Sequence, residues 1–407
     1  MILVGPNLTT LPTIATGAVQ MVATSPPYFG LRRYGDSAAE MGAEPSLDAY
    51  VAGLVAVMRE CKRVLRDDGC AWVNLGDSYG AGGGALLVPF RVAAALQAEG
   101  WTLRAMLPWV KIASMPESVQ SRPSMAHEYV LFLTKRPSGY FYDADAVRVA
   151  MSRGSAGSLF TTGKTGVNGA GRVSQLPRED NPAGRSYRSS DTWRAGAREA
   201  AAQLLAAADG TAIGMLTNDD APAALVVNPK GSGIQHFAMW PTRLVAPMIM
   251  AGTPEAGSCS VCGAPCARVV EARTVPHATR HGSGPIRRMA FSDAGQGHEN
   301  LERSNLGMSR DVQTLGFRPS CEHADVPARP AIVLDPFVGV GTTIGIAEAL
   351  GREAIGCELY QANADLLPAR TAIVRGEMVE YLQGRGEKIA HVAESGSSLG
   401  PLFGGAL

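Results

Sequence analysis

The sequence predicts an α/β fold built on a doubly wound, mostly parallel sheet. Short apolar runs alternate with stretches of helical periodicity over residues 1–150, and the alternation returns over residues 331–375. Chains that alternate in this way usually form parallel strands joined by helices. Residues 151–235 and the cysteine-bounded residues 259–323 lack that rhythm, so we expect an irregular region and a small insert beside the sheet.

Within residues 1–150, the first strand is expected at Val19–Thr24, because proline at Pro26 and Pro27 cannot donate to a strand ladder. Apolar residues at helical spacing then predict a helix from Leu47 to Leu65. The run Asp67–Gly69 is expected to turn the chain into a second strand, Cys70–Leu75. The same criteria predict a helix over Leu87–Gln97 and strands near Leu103–Val110 and Tyr129–Thr134.

The composition is typical of a cytoplasmic protein. With 407 residues, 46% hydrophobic and 18% charged, the chain can form one large domain and a smaller module. There is no run of about eighteen apolar residues that would predict a transmembrane helix. The N-terminus also lacks the pattern of a signal peptide. We therefore expect no membrane partner.

Charge is distributed unevenly along the chain, although the formal net charge is zero. From Arg153 to Glu199 there are eight basic side chains against four acidic ones, and from Arg268 to Arg318 eight arginines against five acids. Each stretch has two interpretations, a weakly basic surface that contacts nucleic acid and a solvated loop with no ligand.

A glycine-rich turn between a strand and a helix indicates a nucleoside-binding site. The buried strand Ile332–Leu334 leads through Asp335-Pro336-Phe337 into Gly339-x-Gly341, and a helix follows. Glycines let the backbone approach a ligand, and open α/β sheets bind nucleosides at the carboxyl ends of their strands. A second strand, Ala354–Cys357, delivers Glu358, whose carboxylate is placed to accept hydrogen bonds from ribose hydroxyls. The third glycine of the dinucleotide fingerprint is missing, which weakens an NAD interpretation.

The segment Thr24-Ser25-Pro26-Pro27-Tyr28 suggests a particular chemistry. An exocyclic amino group of a base is a poor nucleophile, because its lone pair is delocalised into the ring. A serine hydroxyl and a rigid proline carbonyl could accept its two hydrogens and favour the pyramidal nitrogen. Tyr28 offers a face on which an extruded base can stack. The alternative is a proline-rich turn with a buried tyrosine.

These motifs resemble those of the amino-group DNA methyltransferases, which modify cytosine N4 or adenine N6, in their permuted β arrangement. In that family the catalytic motif comes first, a target-recognition region follows, and the cofactor motif comes last. This sequence has that order in Ser25–Tyr28, residues 151–235 and Asp335–Gly341. The resemblance extends to four further segments, Val73–Tyr79, Met115–Ser118, Ala126–Tyr129 and His236–Pro241.

The resemblance implies a Rossmann-like methyltransferase fold and direct transfer of a methyl group from S-adenosylmethionine to the amino nitrogen. The implied partner is double-stranded DNA with a flipped target base, and a homodimer is left open. Cytosine-N4 enzymes of the family mostly carry serine at the position of Ser25, so the expected target is cytosine N4, with adenine N6 as the alternative. A more remote alternative is a non-catalytic DNA-binding protein on the same fold.

Residue by residue, the resemblance assigns catalysis to Ser25, Pro26, Pro27 and Tyr28. It assigns cofactor binding to Asp335, Pro336, Phe337, Gly339, Gly341, Thr342 and Glu358, and less firmly to Asp77 and Asn7. Asn7 follows Gly5-Pro6 where relatives have Gly-Asp, so a carboxylate contact to the adenine of the cofactor is missing. Asp77 has a second interpretation as the cap of the turn that follows it.

The order of motifs also predicts the domain boundaries. We expect a catalytic half at residues 1–150, a target-recognition region at 151–235, a lead-in to the cofactor site at 236–258 and an S-adenosylmethionine-binding half at 324–385. Residues 259–323 would form the cysteine-bounded insert, and residues 386–407 a tail.

The cysteines raise the question of a metal site in the insert. Seven cysteines in a chain expected to be cytoplasmic argue against a disulfide framework. Cys259-x₂-Cys262 resembles a metal knuckle, and Cys321-x-His323 closes the same insert. Four such ligands suit a closed, structural zinc site of zinc-ribbon type, with Cys266 as an alternative ligand. The other alternative is a set of reduced, metal-free cysteines.

Overall fold

A computed structural model describes residues 1–33, 35–111, 119, 121–147, 225–226, 240–278, 306–323 and 326–384. The chain divides into two compact units. The first takes its residues from Met1–Val149, Ser186–Ala267 and Pro319–Leu407, and the second from Ala150–Arg185 and Arg268–Arg318. Nearly all of the predicted recognition region and the whole predicted tail lie outside the described residues.

The described residues form twelve strands and seven α-helices. The strands are β1 (Ile2–Val4), β2 (Val19–Thr24), β3 (Leu65–Leu75), β4 (Thr102–Val110), β5 (His127–Thr134), β6 (Leu225–Val226), β7 (Ser258–Cys259), β8 (Cys266–Ala278), β9 (Leu306–Pro319), β10 (Ala328–Arg329), β11 (Ile332–Asp335) and β12 (Glu353–Glu358). The helices are α1 (Asn7–Thr10), α2 (Leu47–Val64), α3 (Val88–Ala98), α4 (Thr242–Gly252), α5 (Thr342–Ala349), α6 (Gln361–Ala364) and α7 (Leu367–Gly384). None of these helices combines the length and the apolar content that crossing a membrane would require.

Eight of the strands form one sheet in the first unit, in the order β1-β12-β11-β2-β3-β5-β4-β6. The first five in that order run parallel to one another, and β5 runs antiparallel to both of its neighbours. Strands that are far apart in the sequence therefore lie side by side. Val333 and Leu334 of β11, for example, pair with Met21 and Val22 of β2. The mostly parallel sheet that the alternation predicts is confirmed.

Two apolar cores, one on each face of this sheet, make the fold doubly wound. Neighbouring side chains of a strand point to opposite faces. On β3, Ala71 and Val73 lie in one core, while Cys70 and Trp72 lie in the other. The first core also contains buried residues of α2 and α3, and the second contains those of α4, α5 and α7. Helices therefore cover both faces, as the sequence predicts for this α/β class.

The strand β3 begins earlier than predicted. Leu65 already pairs with Val19, and the ladder resumes where Cys70 pairs with Met21. The register shifts between these two pairs, so the predicted turn at Asp67–Gly69 is an irregularity inside the strand. The polar run interrupts the ladder without ending it, because apolar residues on both sides of it are buried against the sheet.

Helix α2 begins with a favourable cap and holds the segment that follows β2. The Ser46 hydroxyl accepts a hydrogen bond from the Ala49 amide at 3.2 Å, and Asp48 lies in the first turn, where the helix dipole favours negative charge. Tyr50 is fully buried on this helix and donates its hydroxyl to the Pro27 carbonyl at 2.9 Å. The helix thereby fixes the chain directly after Ser25-Pro26.

The second unit contains most of β8 and β9, which pair as a two-stranded sheet. The sequence did not predict these strands, because this part of the insert has almost no apolar periodicity. A two-stranded ribbon has no buried face of its own, so it does not require the apolar alternation by which strands are recognised.

Candidate active site

Five polar residues predicted for the site follow strands at one edge of the sheet. The strands β1, β12, β11, β2 and β3 are parallel, so their carboxyl ends lie at the same edge, where open α/β sheets bind ligands. The residues at or just after these ends are, in sheet order, Asn7, Glu358, Asp335, Ser25 and Asp77.

Asp335, at the end of β11, links the two motifs. Its Oδ1 accepts hydrogen bonds from Thr24 Oγ1 at 2.6 Å and from the Phe337 amide at 3.1 Å. Its Oδ2 accepts one from Thr343 Oγ1, in the first turn of α5, at 2.6 Å. The residue is 2% exposed, and this burial raises the pKa of the carboxyl to about 6, although the three hydrogen bonds oppose the rise. Through these hydrogen bonds Asp335 connects the end of β2, directly before Ser25, to the glycine turn.

The turn after Asp335 contains two glycines with left-handed backbone conformations. Gly339 and Gly341 have φ values of +53° and +88°, in the left-handed region that favours glycine. Gly341 is the N-cap of α5, and a Cβ there would collide with Leu367. Thr342 begins the helix and is buried. Gly341 is therefore required both by its backbone conformation and by its packing against Leu367.

Glu358 ends the neighbouring strand β12. Its Oε1 accepts hydrogen bonds from the Tyr360 amide at 3.0 Å and from Asn363 Nδ2 at 2.9 Å. The residue is mostly buried, and burial raises the pKa of its carboxyl against these hydrogen bonds. The Gly5 amide donates to the Glu358 carbonyl at 2.8 Å, which brings the segment of Asn7 to the same strand end. Tyr360 and Asn363 were not predicted, and only their closeness to Glu358 in the sequence could have indicated them.

These groups fit the nucleoside part of S-adenosylmethionine. Gly339 is a partly exposed residue of the turn, Glu358 supplies carboxylate oxygens, and Phe337 supplies a half-buried apolar ring. Pro336 is buried and makes the turn rigid. The residues are of the kind that bind ribose and an adenine face in α/β folds. Their individual roles stay predictions.

Ser25 and Tyr28 lie in one hydrogen-bonded cluster with Asn74 of β3 and Glu128 of β5. The Tyr28 hydroxyl donates to Glu128 Oε2 at 2.6 Å and accepts from Asn74 Nδ2 at 2.7 Å. Asn74 Nδ2 also lies 2.7 Å from Glu128 Oε2 and 3.3 Å from Ser25 Oγ. Ser25 Oγ is 3.4 Å from the Tyr28 hydroxyl. Burial and the adjacent Glu128 raise the pKa of Tyr28 well above its usual value, so its hydroxyl stays protonated.

Glu128 is also paired with Lys111, which directly follows β4. Lys111 Nζ contacts Glu128 Oε1 and lies 4.7 Å from the centroid of the Trp109 ring. The sequence-based prediction missed Asn74, Glu128 and Lys111 as site residues, although two of them fall within segments that carry the family resemblance. The available signal was a polar residue inside or beside an apolar strand, as Asn74 is in β3.

Asp77 caps the start of α3. Its Oδ1 accepts from the amides of Ser78 and Val88, both at 2.9 Å, and its Oδ2 accepts from the Leu87 amide at 3.1 Å. Leu87 has a φ of +58°, unusual for a residue other than glycine, and the aspartate helps to hold it there. A contact between Asp77 and the cofactor stays a prediction.

The four predicted metal ligands lie together in the first unit. The sulfur and nitrogen atoms of Cys259, Cys262, Cys321 and His323 all lie within 4.8 Å of one another. The Gly263 amide donates to the Cys259 carbonyl at 2.9 Å, which closes the tight turn of the knuckle. Hydrogen bonds from the backbone at Cys262 and Val261 lower the pKa of Cys259 to about 6. This donor set suits tetrahedral zinc.

Two segments of the resemblance lie largely outside the described residues, Met115–Ser118 entirely and His236–Pro241 except for its last two residues. Of these, Trp240 is buried and Pro241 is the N-cap of α4.

A doubly wound sheet with a glycine turn, an acidic residue on the next strand and a Ser-Pro-Pro-Tyr segment at its carboxyl edge defines a Rossmann-like methyltransferase fold. The chain belongs to the DNA methylase family of N6 and N4 methyltransferases. The model of that family matches residues 19–259 and 329–367, which is more than half of the chain.

Similar proteins include several type II methyltransferases. M.Cfr9I of Citrobacter freundii is 38% identical over 172 residues, which cover 35% of this chain and 57% of that protein. M.SfiI of Streptomyces fimbriatus is 39% identical over 183 residues, which cover 40% of this chain and 43% of that protein. The chain thus spans about half the length of these relatives. Among solved structures, the cytosine-N4-specific PvuII DNA methyltransferase aligns with a TM-score of 0.47 and 14% identity, over 94% of this chain and 91% of that one.

Proposed function

We propose that this chain transfers a methyl group from S-adenosylmethionine to the exocyclic N4 of cytosine in double-stranded DNA. The observation that supports this most strongly is the hydrogen bond between Thr24 and Asp335, residues 311 positions apart in the chain. It ties the Ser25–Tyr28 segment to the glycine turn on the adjacent strand. A methyl donor at the turn and a base at Ser25 would then meet at one sheet edge, which favours reaction by proximity.

Each residue of the Ser25–Tyr28 segment has a role in the proposed reaction. S-adenosylmethionine would supply the methyl group from its positively charged sulfur, leaving S-adenosylhomocysteine, and the amino nitrogen would lose one proton to water. Ser25 Oγ and the Pro26 carbonyl accept the two amino hydrogens, which favours the nucleophilic, pyramidal nitrogen. Pro27 anchors the segment, because its carbonyl accepts the Tyr50 hydroxyl. Tyr28 stacks on the flipped base.

The cofactor residues act together in the same proposal. Gly339 and Gly341 let the backbone approach the cofactor, with Pro336 and Thr342 shaping the turn. Glu358 accepts hydrogen bonds from the ribose hydroxyls, and Phe337 borders the adenine. The more weakly assigned positions are Asp77, whose carboxylate could contact either the cofactor or the base, and Asn7, near the adenine.

Cytosine is the proposed target because of Ser25, whose neutral hydroxyl can accept from an amino group and donate to a neighbouring ring atom. Adenine N6 is the alternative. Mass spectrometry of nucleosides from cells that express the protein distinguishes the two, and we expect N4-methylcytosine. N6-methyladenine alone would change the base and leave methyl transfer intact. Unmodified DNA together with tight DNA binding by the purified protein would favour the non-catalytic DNA-binding alternative.

Residues 151–235 are the proposed target-recognition region. The support is the motif order and the eight basic side chains between Arg153 and Glu199, and the region lies outside the described residues. Exchange of this region with that of a relative should change the methylated sequence, mapped by sequencing that detects modified bases. An unchanged sequence preference would shift recognition to residues 264–320.

The cysteine cluster is proposed to hold one structural zinc ion on Cys259, Cys262, Cys321 and His323. The close grouping of four ligand atoms and the lowered pKa of Cys259 support it. A site with four protein ligands leaves no position for chemistry, so its role would be to stabilise the fold. Elemental analysis of protein purified without chelator should find about one zinc per chain, and its absence from active protein would contradict the proposal.

A further inference from the structure

We propose that Asn74 and Glu128 are positioning residues of the methyl-transfer site, which fix Tyr28 while leaving the Ser25 hydroxyl available to the target amino group. The inference rests on the proposed function and adds two residues to it. Both residues are buried, with 1% of Asn74 and 9% of Glu128 exposed. Asn74 lies on β3, the neighbour of β2, and Glu128 lies on β5, the next strand in the sheet.

The number of donor hydrogens in the cluster determines that the Tyr28 hydroxyl is held more firmly than the Ser25 hydroxyl. Tyr28 uses its one proton on Glu128 at 2.6 Å, so its oxygen accepts from Asn74 at 2.7 Å. The Asn74 amide has a second hydrogen, for which Glu128 at 2.7 Å competes with Ser25 at 3.3 Å. The shorter and charge-assisted bond to Glu128 is the stronger of the two. Ser25 is therefore held only by long contacts, while Tyr28 is held by two short ones.

The backbone fixes the Tyr28 ring from another side. Gly76 directly follows β3, and a Cβ at this position would lie 2.7 Å from Tyr28 Cε2. The tyrosine ring therefore packs directly on Gly76. With the ring resting on Gly76 and its hydroxyl held by Asn74 and Glu128, Tyr28 has little rotational freedom. A stacking face that is rigid before the base arrives loses less entropy when the base binds.

A buried oxygen of Asn74 without a hydrogen-bond partner indicates that this residue is under a functional constraint. Its Oδ1 is buried and has no hydrogen-bond partner among the described residues. A buried carbonyl without a partner destabilises a fold by about 1–3 kcal/mol, so a purely structural position would favour an apolar side chain. What the asparagine supplies at this position is the amide donor that faces Ser25, Tyr28 and Glu128.

Lys111 completes the cluster by compensating the charge of Glu128. Its ammonium group contacts Glu128 Oε1, so the carboxylate oxygen Oε2 remains as the acceptor for Tyr28 and Asn74. The negative charge is thereby neutralised beside the place where the target base would stack. An unpaired carboxylate so close to that base would be costly to bury.

The test is a double-mutant cycle between Glu128→Gln and Tyr28→Phe, with Glu99→Gln as a control that removes only an exposed ion pair with Arg59. Single-turnover methyl transfer is measured on a duplex that carries the methylation site mapped for the wild type. Affinity for S-adenosylmethionine is measured by calorimetry, and thermal midpoints are recorded. Tyr28→Phe keeps the stacking ring and loses only the hydroxyl.

We expect Glu128→Gln to lower the single-turnover rate about 10- to 100-fold, the range for a misplaced reacting group, while cofactor affinity changes less than about twofold. In the Tyr28→Phe background the same substitution should cost much less, because Glu128 acts through the tyrosine hydroxyl. Glu99→Gln should match the wild type.

Three outcomes would contradict the inference. Wild-type rates in Glu128→Gln would show that the carboxylate has no role in transfer. Equal effects in both backgrounds would show that it does not act through Tyr28. If Glu128→Gln fails to fold, Tyr28→Phe carries the test, and an unchanged rate in that variant overturns the inference alone. A wild-type protein that binds S-adenosylmethionine and methylates no DNA overturns the proposed function and this inference together.

Discussion

Replacing Asp335 by asparagine removes a buried charge while keeping the shape of the side chain. In the wild type, Thr24 and Phe337 donate to Oδ1 and Thr343 donates to Oδ2. An asparagine carbonyl in the place of Oδ1 keeps the first two hydrogen bonds. The Thr343 hydroxyl can rotate to accept from the new amide, because a hydroxyl both donates and accepts. The substitution therefore changes charge far more than hydrogen bonding.

The raised pKa of Asp335 determines how the difference in stability between the wild type and Asp335→Asn changes with pH. Burial raises this pKa from 3.8 to about 6. A carboxyl whose pKa is higher in the folded state takes up a proton on folding, so its contribution to stability is fully present below pH 3.8 and is lost as the pH rises through about 6. A difference of about two pKa units corresponds to about 3 kcal/mol. Relative to the wild type, Asp335→Asn should therefore gain stability between about pH 4 and pH 6 and keep up to about 3 kcal/mol of gain above that range.

Urea unfolding of both proteins from about pH 4.5 to pH 8 measures this difference. Glu99→Gln, which removes an exposed carboxylate paired with Arg59, serves as the control and should show no such trend. A difference between wild type and Asp335→Asn that does not change with pH, or that favours the wild type increasingly as the pH rises, would refute the reasoning.

Three further predictions follow from the site. Gly341→Ala should lower the thermal midpoint and abolish binding of S-adenosylmethionine in calorimetry, because the φ of +88° at this position disfavours a side chain. The control Gly376→Ala, in open space on α7, should be neutral or stabilising by up to about 1 kcal/mol. Ser25→Ala should reduce kcat about 10²–10³-fold with cofactor affinity unchanged, and full activity would mean that the segment is only a structural turn. Cys262→Ser should lose its zinc in elemental analysis and become less stable. Cys266→Ser, outside the cluster, should keep the metal. Zinc retained in Cys262→Ser would contradict the ligand set.

Features that depend on a few neighbouring residues could be predicted from the sequence. The strand Val19–Thr24 is observed with the predicted bounds, and α2 begins at the predicted Leu47. Apolar periodicity, a proline stop and a turn glycine such as Gly341 are local signals, and each is visible within a window of about a dozen residues. The collection of Ser25 and Glu358 at one edge was predictable too, because parallel strands share the direction of their ends.

Side-chain partners contributed by distant strands could not be predicted in this way. Asp335 was assigned to the cofactor, yet three of its hydrogen bonds are to groups of the protein, including Thr24 from a distant part of the chain. Asn74, Glu128 and Lys111 meet because β3, β5 and β4 are neighbours in the sheet. Strand order is a property of the whole fold, and no local pattern in the sequence reports which strands will be adjacent.

Strand order also explains how the Ser25–Tyr28 segment near the start of the chain and the glycine turn near its end can lie at one sheet edge. The first half contributes β2, the last part contributes β11, and these strands are neighbours near the centre of the sheet. The ligand-binding edge depends on which strands are adjacent and in which direction they run, and the position of the chain termini does not enter. The consequence is that the Thr24–Asp335 hydrogen bond closes a loop of 311 residues. Such a contact cannot form before β11 lies beside β2, which requires that this long loop is closed. The two halves of the site should therefore acquire their joint geometry only when β11 pairs with β2, and in a fragment that lacks β11 and β12 Thr24 should lose its Asp335 partner.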